Sequence, residues 1–139
     1  MKLIKILSSL MILSFFMSAC SEKEPSVFNG DDLKKQAENI VYEINQLNGR
    51  AVYDISSSVI TDIYTLEGIN EYIEYQLRNV GAFDEIIITT FTETKHPLKE
   101  YPIAVLETVA RFENGTLRYI FSFNEDLQII GFSLSFLPK

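Results

Sequence analysis

The chain has 139 residues, 12 basic against 19 acidic, a net charge of −7 and a single cysteine. That acidity argues against nucleic acid as a partner, because such binding rests on Lys and Arg neutralising phosphates. One cysteine excludes an internal disulfide and any cysteine-based zinc site.

The chain opens with a short basic stretch, Met1-Lys2-Leu3-Ile4-Lys5, and then runs apolar from Ile6 to Met17. This is the pattern of a secretory signal, with an apolar core too short for a spanning helix of roughly 20 residues. Met17-Ser18-Ala19-Cys20 follows. Small residues leading directly into a cysteine resemble the lipobox of bacterial lipoproteins, with Met17 where leucine is commoner. The resemblance implies that residues 1–19 are a lipoprotein signal peptide and that Cys20 carries a diacylglycerol as the mature N-terminus. The protein is then held on the extracytoplasmic side of the cell membrane. Two acyl chains suffice for this, where one alone binds marginally. Losing Lys2 and Lys5 with the signal leaves 10 basic against 19 acidic residues, a net charge of −9. Such a body is repelled by anionic headgroups, so the lipid and not the protein surface is expected to hold it.

Residues 20–27, the lipidated cysteine and a short polar stretch with Pro25, read as a tether. Residues 28–139 read as one domain, large enough for a hydrophobic core. Its first helix is announced at Asn29, placed to cap free N–H groups, with Asp32 three residues on and Phe28 and Leu33 at the two staple positions. Leu33, Ala37, Ile40, Val41, Ile44 and Leu47 recur at helical spacing, and Gly49 sits where a left-handed residue would end the helix. Between Arg50 and Tyr64 two short helical pieces are expected, broken by the serines at 56–58. Thr65 caps the next long helix, with Leu66, Ile69, Ile73, Leu77 and Val80 on its apolar face and Gly81 closing it.

From Phe83 the pattern changes to strands: 84–94, Ile103 to Phe112, Leu117 to Phe123 and Gln128 to Phe136. A loop with His96-Pro97 and Tyr101-Pro102 separates the first two. Asn114-Gly115 is a strong hairpin signal. A two-residue loop there would set Phe112 opposite Leu117, Ala110 opposite Tyr119 and Arg111 opposite Arg118. A second such loop at Glu125-Asp126 would set Phe121 opposite Ile130 and Tyr119 opposite Phe132. One sheet face is then almost wholly apolar, and a one-residue slip would turn every aromatic outward. The expected fold class is α+β: N-terminal helices packed on one face of a curved four-stranded antiparallel meander sheet.

Several residue groups carry a further resemblance over about residues 28–137. They are Leu47-Asn48-Gly49, Val52-Tyr53, Gly81-Ala82-Phe83, Arg111-Phe112-Glu113-Asn114-Gly115-Thr116-Leu117, and Phe121-Ser122-Phe123-Asn124-Glu125-Asp126 leading to Ile130-Gly131-Phe132. This part of the chain resembles a bacterial domain family of unknown function, met in secreted and lipid-anchored proteins and sometimes ahead of an α/β-hydrolase domain. With the sequence ending at Lys139, no hydrolase domain is expected here. The family resembles the wider nuclear-transport-factor-like (cystatin-like) architecture, which implies a cone-like sheet whose interior can be a pocket. In related architectures the outer sheet face often makes dimers.

No catalytic residues, metal ligands or cofactor motif stand out. The serines lack a Gly-x-Ser-x-Gly setting. His96, the single histidine, reads as a solvated loop residue. No zinc or calcium ligand set and no glycine-rich phosphate loop is recognisable. Glu107, Arg111 and Arg118 share the outer face, where a solvated ion-pair surface is the default and a homodimer or an envelope protein partner the alternative. Thr108, Ala110 and Tyr119 are the candidate ligand pocket, two hydroxyls among aromatics with a small residue opposite the tyrosine. A filled core with both hydroxyls bonded is the competing reading. The expectation is a membrane-anchored, non-enzymatic accessory or small-ligand-binding domain. A small cavity enzyme of isomerase or lyase type, or an envelope interaction module, is the alternative.

Overall fold

The computed structural model describes residues 24–139; the expected signal peptide, Cys20 and the first part of the expected tether lie outside them. Four helices precede four strands: α1 (Gly30–Asn45), α2 (Arg50–Tyr53), α3 (Ser58–Thr61), α4 (Leu66–Leu77), β1 (Phe83–Lys95), β2 (Pro102–Phe112), β3 (Gly115–Phe123) and β4 (Ile129–Pro138). The strands pair in chain order as one open antiparallel sheet. The helices pack on its inner face, α1 over β1 and β2, α3 and α4 over β4. This is the α+β arrangement that the helical and alternating patterns predict.

The helix starts follow the sequence signals. Asn29 accepts from the Asp32 N–H at 3.3 Å, and Asp32 reaches back to the Asn29 side-chain amide at 2.7 Å. Phe28 and Leu33 are both buried, so the staple is closed. Thr65 accepts from the Gly68 N–H at 3.1 Å at the start of α4. The apolar stripe Leu33, Ala37, Ile40, Val41 and Ile44 is buried along α1, as are Ile69 and Ile73 of α4. Ile55, Ser56 and Ser57 separate α2 from α3. They bond to the start of β4, Ile129 N–H to Ile55 O at 2.8 Å and Ser57 N–H to Ile129 O at 2.9 Å.

The end of α1 differs from expectation. Gly49 has φ −69° and is not the left-handed residue. Leu47 is, at φ 61°. Its N–H bonds Ile44 O at 2.8 Å while the Asn48 N–H bonds Glu43 O at 3.0 Å, the two bonds of a Schellman end. Gly49 is small because α4 comes close. Its N–H donates to Asn70 Oδ1 at 2.9 Å, and a Cβ there would collide with that oxygen.

Both hairpin registers differ from expectation by two residues, which keeps every side chain on its expected face. Phe112 pairs with Gly115, Ala110 with Leu117, Thr108 with Tyr119 and Leu106 with Phe121. The turn is therefore Glu113-Asn114. Neither residue has a positive φ, because their N–H groups are held by the chain after α4. Glu113 N–H bonds Ala82 O at 2.8 Å and Asn114 N–H bonds Val80 O at 3.0 Å. Gly115 is needed as a strand residue, since a Cβ there would strike the Leu137 carbonyl of β4. Charge agrees with the shift. The expected register set Arg111 opposite Arg118, a destabilising like pair. The observed one sets Arg111 opposite Glu85, to which it donates, and leaves Arg118 2.7 Å from Glu107.

Between β3 and β4, Asn124 N–H bonds Gln128 O and Leu127 N–H bonds Asn124 O, each at 3.0 Å. Leu127 has φ 59°. This is a three-residue loop with a left-handed third residue, and it pairs Phe121 with Phe132 and Tyr119 with Leu134. Leu47 and Leu127 are 49% and 46% exposed, so either side chain can be removed with little loss of burial. Leu47→Gly and Leu127→Gly should each raise stability by about 0.5–1 kcal/mol, the left-handed strain outweighing glycine's extra unfolded freedom. Gly115→Ala should lower it by about 1–3 kcal/mol through overpacking against β4. Urea unfolding of the three variants checks the signs.

Candidate functional site

Thr108, Ala110 and Tyr119 all lie fully buried on the inner sheet face. The observed register sets Ala110 opposite Leu117 and not opposite Tyr119, so the small residue opens no space across from the tyrosine ring. The Thr108 hydroxyl lies 3.1 Å from that of Thr89 on β1. The Tyr119 hydroxyl donates to Asn45 Oδ1 at the end of α1. Burial pushes the Tyr119 phenol well above the ordinary tyrosine range. These groups tie α1 to β3 and β1 to β2 from inside the core.

An open groove lies elsewhere, along the β4 edge of the sheet. It has a volume of about 440 Å³ and is lined by Ile60, Tyr64, Gly68, Ile69, Tyr72, Gly131 and Phe132. Helical spacing puts Gly68 and Tyr72 of α4 in one row, Tyr64 stands just ahead of the Thr65 cap, and α3 adds Ile60. Tyr72 forms the end wall. Its ring meets Phe132 edge-on with centroids 5.7 Å apart, and its hydroxyl accepts from the Leu134 N–H at 2.9 Å. The Leu134 N–H thus points off the sheet edge, and by the two-residue alternation of an antiparallel ladder so do the N–H and C=O of Phe132. Beyond Phe132 the edge is closed again where Ser57 bonds Ile129. The Phe132 backbone groups therefore open into the groove between two closures. Val59, Ile63 and Tyr64 on its α3 side are exposed.

Gly68 is the informative residue. It is the third residue of α4, a helical position at which glycine is less favourable than alanine. No crowding demands it: a Cβ there would meet only the Thr65 hydroxyl at 3.5 Å, an ordinary contact. Its effect is to leave the groove open. Sequence reasoning passed over this position, although a helical glycine with no turn to make was visible at 68.

The outer sheet face is solvent-facing and carries the Glu107–Arg118 pair together with Arg111, 3.9 Å from Asp84 and bonded to Glu85. All these groups are a third or more exposed, a setting in which such pairs contribute little. His96 accepts at Nδ1 from the Leu98 N–H at 3.2 Å and stacks on Tyr101 at 4.8 Å, so it shapes its loop. Among the described residues no group of three or more His, Cys, Asp or Glu could hold a metal ion. Cys20 lies outside the described residues.

The fold defines an α+β domain with an open four-stranded sheet. The family model described as Protein of unknown function (DUF3887) matches residues 37–132, and the chain belongs to that family. Among solved structures, the NMR structure of a protein from Ruminococcus gnavus ATCC 29149 is similar, with a TM-score of 0.63 and 18% identity, covering 78% of this chain and 93% of that one. At that identity the likeness is one of fold. No curated protein matches the chain.

The buried phenol gives a pH-dependent expectation. Below about pH 10 both folded and unfolded chains keep the Tyr119 proton; above it the unfolded chain ionises first, so stability falls as pH rises. Tyr119→Phe should remove this residue's share of the alkaline decline. It should also cost about 1–3 kcal/mol near neutrality, because Asn45 loses its partner. Urea unfolding at neutral and alkaline pH checks both, and an unaltered alkaline slope in the variant would count against the assignment.

Proposed function

We propose that this protein is a lipid-anchored, extracytoplasmic binding module without catalysis of its own, holding a small apolar ligand in the groove beside β4. Cys20 behind Met17-Ser18-Ala19 supports the anchor. The observation that carries the binding reading is Gly68, a helix-weakening residue whose one structural consequence is open space above an aromatic-walled groove. Such a site, apolar with a few directed polar groups, suits a small ligand. Here Ile60, Tyr64, Ile69, Tyr72 and Phe132 supply the walls, and the Phe132 backbone supplies one donor and one acceptor. A molecule with an apolar body and one amide end matches both. The lining includes no carboxylate, histidine, cysteine or lysine, so it has no group to exchange a proton near neutral pH. That favours binding over isomerase or lyase chemistry.

Filling the groove tests the reading without unfolding the protein. Gly68→Leu should match or exceed the parent in melting temperature, since Leu favours the helix. It should also weaken binding of the neutral fluorophore N-phenyl-1-naphthylamine at least about tenfold, a change of about 1.4 kcal/mol. Native mass spectrometry of the protein purified from its own source should show a retained small molecule in the parent and none in the variant. Equal binding by both would sink the groove as the site.

A further inference from the structure

We infer that the β1–β2 loop, with Leu98 at its tip, is the part of the domain that rests in the bilayer interface. The inference rests on the lipid-anchor reading and is independent of the groove. Its starting point is where the tether meets the domain. The Ser26 hydroxyl bonds the Glu93 carboxylate and the Phe28 carbonyl, and Glu24 lies 3.9 Å from Lys95 Nζ. Residues 24–27 thus run beside the C-terminal end of β1. Cys20 precedes Glu24 by four residues, and a fully extended chain spans at most about 3.6 Å per residue. The lipid on Cys20 is therefore attached within about 14 Å of Glu24, at the end of the sheet that carries the β1–β2 loop.

That loop is built as a rigid protrusion. His96 N–H bonds Tyr101 O at 2.8 Å, Glu100 N–H bonds His96 O at 3.1 Å, and Glu100 has φ 56°. At its tip Leu98 is 87% exposed, more than any other large apolar residue described, and Val27 of the adjoining tether is 58% exposed. No contact within the protein accounts for an outward leucine held between Pro97 and Lys99. A lipid surface does, because it takes the leucine while Lys95 and Lys99 stretch toward the phosphates. The β3–β4 loop shares this end of the sheet but bears Glu125 and Asp126 with no lysine, whereas the β1–β2 corner sets Lys95 and Lys99 among Glu24, Glu93 and Glu100. The corner under β1 therefore meets the membrane. The groove lies on the opposite edge of the sheet.

The chain contains no tryptophan, so a single introduced indole reports depth directly. Leu98→Trp is compared with Val59→Trp on α3 and Leu137→Trp at the far end of β4, both exposed positions. Each full-length protein is matured in a bacterial host and reconstituted in phosphatidylcholine–phosphatidylglycerol vesicles containing brominated lipid. The expected result is a diacylglycerol-bearing mass for all three. Emission from the Leu98→Trp indole should be blue-shifted and quenched at least about twofold, and the other two should be unaffected. Lipidated, vesicle-bound protein with no quenching at position 98, or with equal quenching at all three positions, overturns the seating alone. A mass without lipid overturns the anchor reading, and the seating with it.

Discussion

Leu33, Ala37, Ile40, Val41 and Ile44 of α1 close against the inner sheet face, where Leu106, Ala110, Tyr119, Phe121 and Phe123 wait with no exposed surface left. Neither partner can hide its apolar side alone: an amphipathic helix has one stripe, and an open sheet has two faces with only one of them apolar. The remaining elements take their positions from this contact. Burial by itself has little direction, so polar groups set the alignment. The bond from Tyr119 to Asn45 fixes where α1 ends along β3, and the Thr89–Thr108 pair does the same for β1 against β2.

The second layer of contacts is looser, and the groove arises there. α4 reaches the sheet through Ile69 and Ile73 and is pinned to the edge of β4 by Tyr72. The short α2 and α3 fill the gap between the long helices without covering β4 completely. An uncovered sheet edge is ordinarily a liability for aggregation. Here it is closed at Ile129 by Ser57 and at Leu134 by Tyr72, with the stretch at Phe132 open between them. A gap between two edge closures is a different object from the central pocket that a cone-like sheet suggests. The gap lies between helix and edge, and the centre of the sheet holds buried side chains.

Charge is distributed in the same economical way. The outer face pairs Arg118 with Glu107 and Arg111 with Glu85, so the uncovered side of the sheet presents no single-sign field. The chain end that leads to Cys20 docks beside Lys95 at the β1 corner of the sheet, on the edge opposite the groove and the acidic loop of β3–β4.

Much of this was legible in the sequence. The caps at Asn29 and Thr65, the stripe from Leu33 to Ile44, the two short helical pieces around the serines and the four alternating strands are local patterns, each enforced by residues within a turn or a few positions of one another. The apolar face of the sheet was legible too, because a register error of two leaves it unchanged. What the local pattern left open was decided by parts distant in sequence. The hairpin turn moved from Asn114-Gly115 to Glu113-Asn114 because Val80 and Ala82 take its N–H groups and because β4 leaves Gly115 no room for a Cβ. The left-handed residue after α1 became Leu47 because the approach of Asn70 claims Gly49. Gly68 is read from sequence as a mild defect in a helix, and only the packed neighbours reveal the open space above it. Covalent neighbours dictate periodicity, faces and caps, whereas register, close approach and empty volume depend on which surfaces meet.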